Sequence, residues 1–157
     1  GSGALAAALA RERPRWDIVA TERSAQALAV ARDNFRWLEL HHIETLLGDW
    51  LAPLAGRRFR CVLSNPPYLP ESDRHLGLGD LRFEPRSALA AGPDGLEAIR
   101  RIVSQAQPCL EDEGLLLLEH GYDQGPGVRG VLRRQGYRRV ESWRDLAGRE
   151  RVSGGYR

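Results

Sequence analysis

Apolar positions recur along this chain in stretches whose period changes, and the changes mark its elements. Ala4 to Arg13 is dense in alanine and leucine and predicts a helix. Pro14 stops it, because proline lacks an N–H and its ring clashes with the preceding turn. Asp17-Ile18-Val19-Ala20-Thr21 is an apolar run of strand length. Ser24 stands where a helix cap is needed, ahead of Ala27, Leu28, Val30, Ala31 and Phe35 near helical spacing. Ile43 to Leu47 and Arg60 to Ser64 read as strands, the second buried and ended abruptly by Asn65-Pro66-Pro67. Asp94 to Leu110 puts Leu96, Ile99, Ile102 and Val103 on one helical face. Leu115 to Leu118 reads as a central strand and Val128 to Gln135 as a helix. Arg138 to Ser142 and Arg151 to Tyr156 complete the series as strands.

Strands alternating with helices predict an α/β fold with a doubly wound, Rossmann-like parallel sheet. The last two strands have no helix between them, which permits an antiparallel pair. Pro70 to Pro93 reads as a long irregular loop, a feature that is often functional in a compact domain. There is no internal repeat and no linker, so residues 1–157 are expected to form one domain. Gly1-Ser2-Gly3 opens the first helix with no strand ahead of it. The pattern therefore predicts a sheet lacking its first strand at the N-terminal edge; a cloning remnant is the other reading of those three residues.

Composition narrows the classes. Of 157 residues 42% are hydrophobic and 28% charged, the balance of a globular chain. No apolar run approaches the roughly 20 residues of a membrane span. The basic residues number 23 against 21 acidic, a net charge of +2, and every basic residue is arginine. That balance, with pairs such as Arg133-Arg134 and Arg138-Arg139 at predicted helix ends and turns, gives no basic stripe, so no direct nucleic-acid partner is expected. Cys61 and Cys109 form no CxxC pair and are expected to be buried thiols in a reducing cytoplasm. No His, Cys and carboxylate cluster has metal-ligand spacing, and the adjacent His41 and His42 read as surface residues.

Four segments carry candidate chemistry. Gly1-Ser2-Gly3, with Ala6, fits G-x-G-x-x-A at a helix start, where small residues let a ligand approach backbone N–H groups. Glu22, about 20 residues on, ends the next strand, where a carboxylate can accept hydrogen bonds from ribose hydroxyls. Asp49-Trp50 offers an acceptor for an adenine amino group and a ring to pack on the base; a buried tryptophan beside a capping aspartate is the plainer alternative. Asn65-Pro66-Pro67-Tyr68 is the most specific signal. It follows a strand at the carboxyl edge, where open α/β sheets bind ligands. Tandem prolines stiffen the backbone and remove donors, leaving carbonyls and the Asn65 side chain to accept, beside the flat ring of Tyr68. Together these describe a clamp for a planar –NH2 group.

That tetrapeptide resembles the signature of amino methyltransferases that use S-adenosylmethionine, and the rest of the chain is similar to the PrmC/HemK family of release factor glutamine methyltransferases. Gly1-Ser2-Gly3 resembles the end of that family's D-x-G-T-G-S-G loop, and Gly48-Asp49-Trp50 its S-D-W segment. Asp80-Leu81-Arg82-Phe83-Glu84-Pro85, Leu116-Leu117-Leu118-Glu119-His120-Gly121 and Glu150-Arg151-Val152 also resemble family segments. The chain departs from the family in lacking its first strand and its helical N-terminal domain, and in carrying Glu22 where aspartate is common.

The resemblance implies a class I methyltransferase sheet with a terminal antiparallel pair. It implies S-adenosyl-L-methionine as cofactor, held by Gly1, Ser2, Gly3, Glu22, Asp49, Trp50 and Asn65. It implies a cytoplasmic enzyme whose partner is a class I peptide-chain release factor, methylated on the glutamine of its Gly-Gly-Gln motif. Asn65 and Pro66 are then catalytic, and Asn65, Pro66, Pro67 and Tyr68 hold the substrate amide. Three rivals stay open: a DNA or RNA amino methyltransferase, acting on adenine N6 or guanine N2, which would share Asn65 to Tyr68; a nicotinamide dehydrogenase, which would share Gly1, Gly3 and Glu22; and an inactive cofactor-binding fragment.

Overall fold

The computed structural model describes residues 1–70 and 91–157, which divide into two compact units, Gly1–Ala55 and Gly56–Arg157. The first unit holds α1 (Ala4–Glu12), β1 (Ile18–Glu22), α2 (Ala25–Trp37) and β2 (Ile43–Leu47), followed by a 3₁₀ turn at Ala52–Leu54. Strands β1 and β2 pair in parallel with Ile18 opposite Ile43 and Glu22 opposite Leu47. The core forms where Ala7 and Ala10 of α1 and Ala31 and Phe35 of α2 meet Ile18, Leu40 and Ile43. Alanines three apart give α1 a narrow flat face that lies close to its neighbours. As expected, Ser24 caps α2, its hydroxyl accepting from the Ala27 N–H at 3.2 Å.

The second unit holds β3 (Phe59–Ser64), α3 (Glu97–Cys109), β4 (Leu110–Glu119), α4 (Gly125–Arg134), β5 (Arg138–Arg144) and β6 (Glu150–Tyr156). Its sheet runs β3-β4-β6-β5, with β3 and β4 parallel and β6 antiparallel to both β4 and β5. The expected terminal antiparallel pair is therefore present. Ile99, Ile102, Val103 and Ala106 recur at helical spacing on α3 and are wholly buried with Leu116 and Leu118, alternate residues of β4, and Val128 and Leu132 of α4.

Three local expectations change. Helix α3 begins at Glu97 rather than Asp94, because the Asp94 carboxylate accepts from the Leu96 N–H and Gly95 turns with φ of 70°. Strand β4 starts directly after α3 at Leu110, opposite Phe59, rather than at Leu115, with an irregular register between the Leu110 and Leu115 pairings. Strand β3 is half-buried rather than buried, as befits an edge strand of its sheet, and Cys61 on it is half-buried too; Cys109 is 5% exposed. Among the described residues no helix is long and apolar enough to cross a membrane.

Candidate functional site

Within the first unit, the structure gathers residues that lie far apart in sequence. Gly3 takes a left-handed φ of 80° at the start of α1, and a Cβ there would strike the Phe35 ring at 2.5 Å. Glycine thus lets the turn lie flat on α2, where the Asn34 side chain donates to the Ser2 carbonyl at 2.9 Å. A Cβ on Gly1 would meet open space. The amino group of Gly1 donates to the Glu22 carboxylate at the end of β1, and the Ser24 N–H donates to the same carboxylate at 2.7 Å. Burial opposes ionisation of Glu22, but the bonds from the amino terminus, Ser24 and Arg23 outweigh it and hold the carboxyl below its ordinary value.

The loop after β2 joins this group. The Gly48 N–H donates to the Glu22 carbonyl at 2.9 Å, which draws Asp49 and Trp50 to the carboxyl end of β1. Trp50 sits at a φ of 52°, an uncommon conformation for a bulky residue, and its ring is half-buried. Gly1, Ser2, Gly3, Glu22, Asp49 and Trp50 thus gather near the carboxyl end of β1 within this unit, while Asn65, also expected at the cofactor, belongs to the other unit.

Within the second unit, Asn65-Pro66-Pro67-Tyr68 leaves the carboxyl end of β3. Asn65 is exposed, Pro66 is fully buried, and Pro67 and Tyr68 are half-buried. The turn is anchored by its first proline and offers its asparagine amide to solvent. It returns to the unit through the Leu69 carbonyl, which accepts from the Ala91 N–H at 2.9 Å. The Asp80 to Pro85 segment lies outside the described residues.

Sequence reasoning missed how the segment after β4 is used. His120 is wholly buried; its Nδ1 lies 2.8 Å from the Gly121 carbonyl and its Nε2 2.8 Å from the Ser153 hydroxyl. Ser153 meets Ser142 at 2.7 Å, and Arg129 donates to both Ser142 and Glu150. The donor order is consistent throughout for a neutral ring: Arg129 to Ser142, Ser142 to Ser153, Ser153 to Nε2, and Nδ1–H to the Gly121 carbonyl. The Arg129 guanidinium also holds the Glu150 carboxyl below its ordinary value. The clue was a histidine and a serine in otherwise apolar or glycine-rich strand ends. Burial pushes the Cys61 thiol up, and it pushes that of Cys109 up against the opposing charge of Arg58; neither is primed as a nucleophile. His41 and His42 are exposed.

Comparison with known proteins extends the picture. The family described as methyltransferase small domain matches residues 1–81. The chain is 53% identical to the release factor glutamine methyltransferase of Pseudomonas aeruginosa over 145 residues, covering 92% of this chain and 52% of that protein. It is 45% identical to the release factor glutamine methyltransferase of Salmonella typhimurium over 155 residues, covering 99% of this chain and 56% of that one. The chain thus spans about half the length of the curated relatives it matches. Among solved structures, the ribosomal protein L11 methylase of Lactobacillus delbrueckii subsp. bulgaricus superposes with a TM-score of 0.70 at 13% identity, over 99% of this chain and 66% of that one. A methyltransferase from Pyrococcus furiosus gives 0.71 at 16% identity, over 98% of this chain and 68% of that one.

Proposed function

The chain belongs to the methyltransferase small domain family, and we propose that it transfers a methyl group from S-adenosylmethionine to the side-chain amide nitrogen of a glutamine, in the Gly-Gly-Gln motif of class I peptide-chain release factors. Its fold is the class I methyltransferase fold. The observation that carries the proposal is the Asn65-Pro66-Pro67-Tyr68 turn, with an exposed amide acceptor on a backbone anchored by a buried proline. The substrate class is supported by the shared name of the relatives, release factor glutamine methyltransferase. That substrate puts the reaction in the cytoplasm.

The residues of the first unit fit the cofactor. Gly3 holds the backbone in a left-handed turn at the start of α1, Glu22 puts a carboxylate suited to ribose hydroxyls at the end of β1, and the half-buried Trp50 offers a ring to adenine beside Asp49. When bound, S-adenosylmethionine supplies an electrophilic methyl group on a positively charged sulfur.

The chain's own task is to make a poor nucleophile attack. An amide lone pair is delocalised into its carbonyl. Asn65 Oδ1 and the Pro66 carbonyl accept the two N–H bonds, which returns density to nitrogen and aims the lone pair out of the amide plane. The nitrogen takes the methyl group as the methyl–sulfur bond breaks, and one of the two N–H protons is given up to solvent. Tandem prolines supply no competing donor, and Tyr68 gives the planar amide a surface to lie against. Orientation of this kind contributes up to roughly 7–11 kcal/mol in ideal cases. The family resemblance also assigns Asn65 a contact with the methionine end of the cofactor.

Incubating the native protein with radiolabelled S-adenosylmethionine and either a release factor or duplex DNA tests the proposal. Label is expected in the release factor alone. Label in DNA and none in the release factor would replace it with a nucleic-acid amino methyltransferase.

A further inference from the structure

We propose that Gln124 is a positioning residue that holds the Asn65–Tyr68 turn by the carbonyl of Tyr68 and so sets the reach of the substrate clamp. The consequence for activity rests on the function proposed above; the contact itself does not.

The turn needs an external hold. Two of its four residues are prolines, which have no N–H with which to pair to a neighbouring strand. Its last carbonyl is gripped instead by the Gln124 side chain, whose Nε2 donates to Tyr68 O at 2.9 Å and lies 3.4 Å from Asp94 O. The other end of the same amide, Oε1, accepts from the Gly121 N–H at 2.8 Å. These partners fix the orientation of the amide, because carbonyls only accept and a backbone N–H only donates. One side chain thus ties together the exit of β3, the approach to α3 and the exit of β4.

Helix capping does not explain this residue. Gln124 is the N-cap of α4, a position that favours short side chains such as Ser, Asp or Asn, and its own side chain makes no capping bond. Gly121, at the far end, is itself fixed: its carbonyl is bonded by buried His120, which is tied to Ser153 of β6. The hold on Tyr68 therefore leads back to a wholly buried part of the sheet. Beside this hydrogen bond lies Gly95, at a φ of 70°, where a Cβ would come within 2.3 Å of the Tyr68 oxygen and 2.6 Å of Gln124 Nε2 and so crowd both of its atoms. The bond from Gln124 to Tyr68 therefore needs glycine at position 95.

The test uses Gln124→Glu in the native protein. Glutamate keeps the length and the acceptor for Gly121, but a carboxylate has no proton for Tyr68 and faces two carbonyls. The expected result is a fall in turnover of about ten- to a hundredfold, the scale of a misplacement near one ångström, with the dissociation constant for S-adenosylmethionine changed less than about twofold. Hydrogen exchange supplies a readout that does not depend on activity. The Ala91 amide, bonded to Leu69 beside the turn, is expected to lose protection while Gly121 and the amides of α4 keep theirs. Gly95→Ala, whose Cβ would crowd both the Tyr68 oxygen and Gln124 Nε2, is expected to give the same pattern. Parental protection at Ala91 in Gln124→Glu overturns the proposal, as does parental turnover despite lost protection, or loss of protection throughout α4, which marks a merely structural role. If the native protein transfers no methyl group to a release factor, the proposed function fails, and the exchange pattern alone decides whether Gln124 holds the turn.

Discussion

Asn65 carries the account at the scale of single residues. Its amide is exposed on a rigid turn, so replacing it by alanine removes an acceptor without emptying a core position. Loss of one positioned partner that matters most in the transition state is expected to cost about 2.7–4 kcal/mol, by analogy with an oxyanion-hole donor, roughly a hundred- to a thousandfold in single-turnover methylation. Asn65→Asp keeps an acceptor but adds a charge that pairs with the sulfonium, so low turnover is expected with cofactor affinity retained or raised. Parental rates in both variants would reduce Asn65 to a turn residue. Glu22→Ala is expected to weaken S-adenosylmethionine binding by about 1–3 kcal/mol, the range for a hydrogen bond to a charged group; an unchanged calorimetric dissociation constant would remove Glu22 from the site. Asn65 was legible in sequence because its acceptor, its prolines and its aromatic neighbour are consecutive. Gln124 was not, because the carbonyl that explains it belongs to Tyr68, 56 positions away.

At the scale of elements, short-range physics was the readable part. Ser24 caps the helix it precedes, and the apolar spacing of Ile99, Ile102 and Val103 matches the buried face of α3. Pairing across the sheet was less readable. Strand β4 begins at Leu110, opposite Phe59 of β3, and an irregularity in which Glu113 takes a φ of 61° precedes the pairing of Leu115 with Cys61; the apolar pattern showed only Leu115 to Leu118. His120 belongs to the same class of long-range effects, for its partner Ser153 comes from β6. His120→Ala leaves the Ser153 hydroxyl buried without that partner and opens a cavity beside β4 and β6. Ser142 remains as a partner of Ser153, so about 0.5–1.5 kcal/mol is expected for the one lost hydrogen bond, with the cavity adding to it, read as a lower midpoint in urea with an unchanged slope. An unaltered midpoint would show that the buried relay from Arg129 to His120 adds nothing to stability.

Over the whole molecule, the residues proposed to hold the cofactor, Asn65 apart, stand on Gly1–Ala55 and the proposed amide-binding turn on Gly56–Arg157, while carboxylates held low in pKa occur in both units. Asp94 is held down by a hydrogen bond from Arg100, Asp145 by the Arg149 N–H, Glu150 by Arg129, and Glu22 by bonds that outweigh its burial. Each of these groups binds a proton more readily in the unfolded chain than in the fold. Their contribution is complete above the unfolded carboxylate values and is lost as pH falls through the lower, folded ones. Urea midpoints are therefore expected to be level near neutrality and to fall below about pH 4; a midpoint that holds or rises there would contradict the pairing of these carboxylates. Methyl transfer to one nitrogen is read out by tandem mass spectrometry of a release factor incubated with the native protein and S-adenosylmethionine. The account predicts one methyl group on the side-chain nitrogen of the Gly-Gly-Gln glutamine, and none when that glutamine is replaced by glutamate. A methyl group on any other side chain, or an unmodified glutamine after exhaustive incubation, would contradict it.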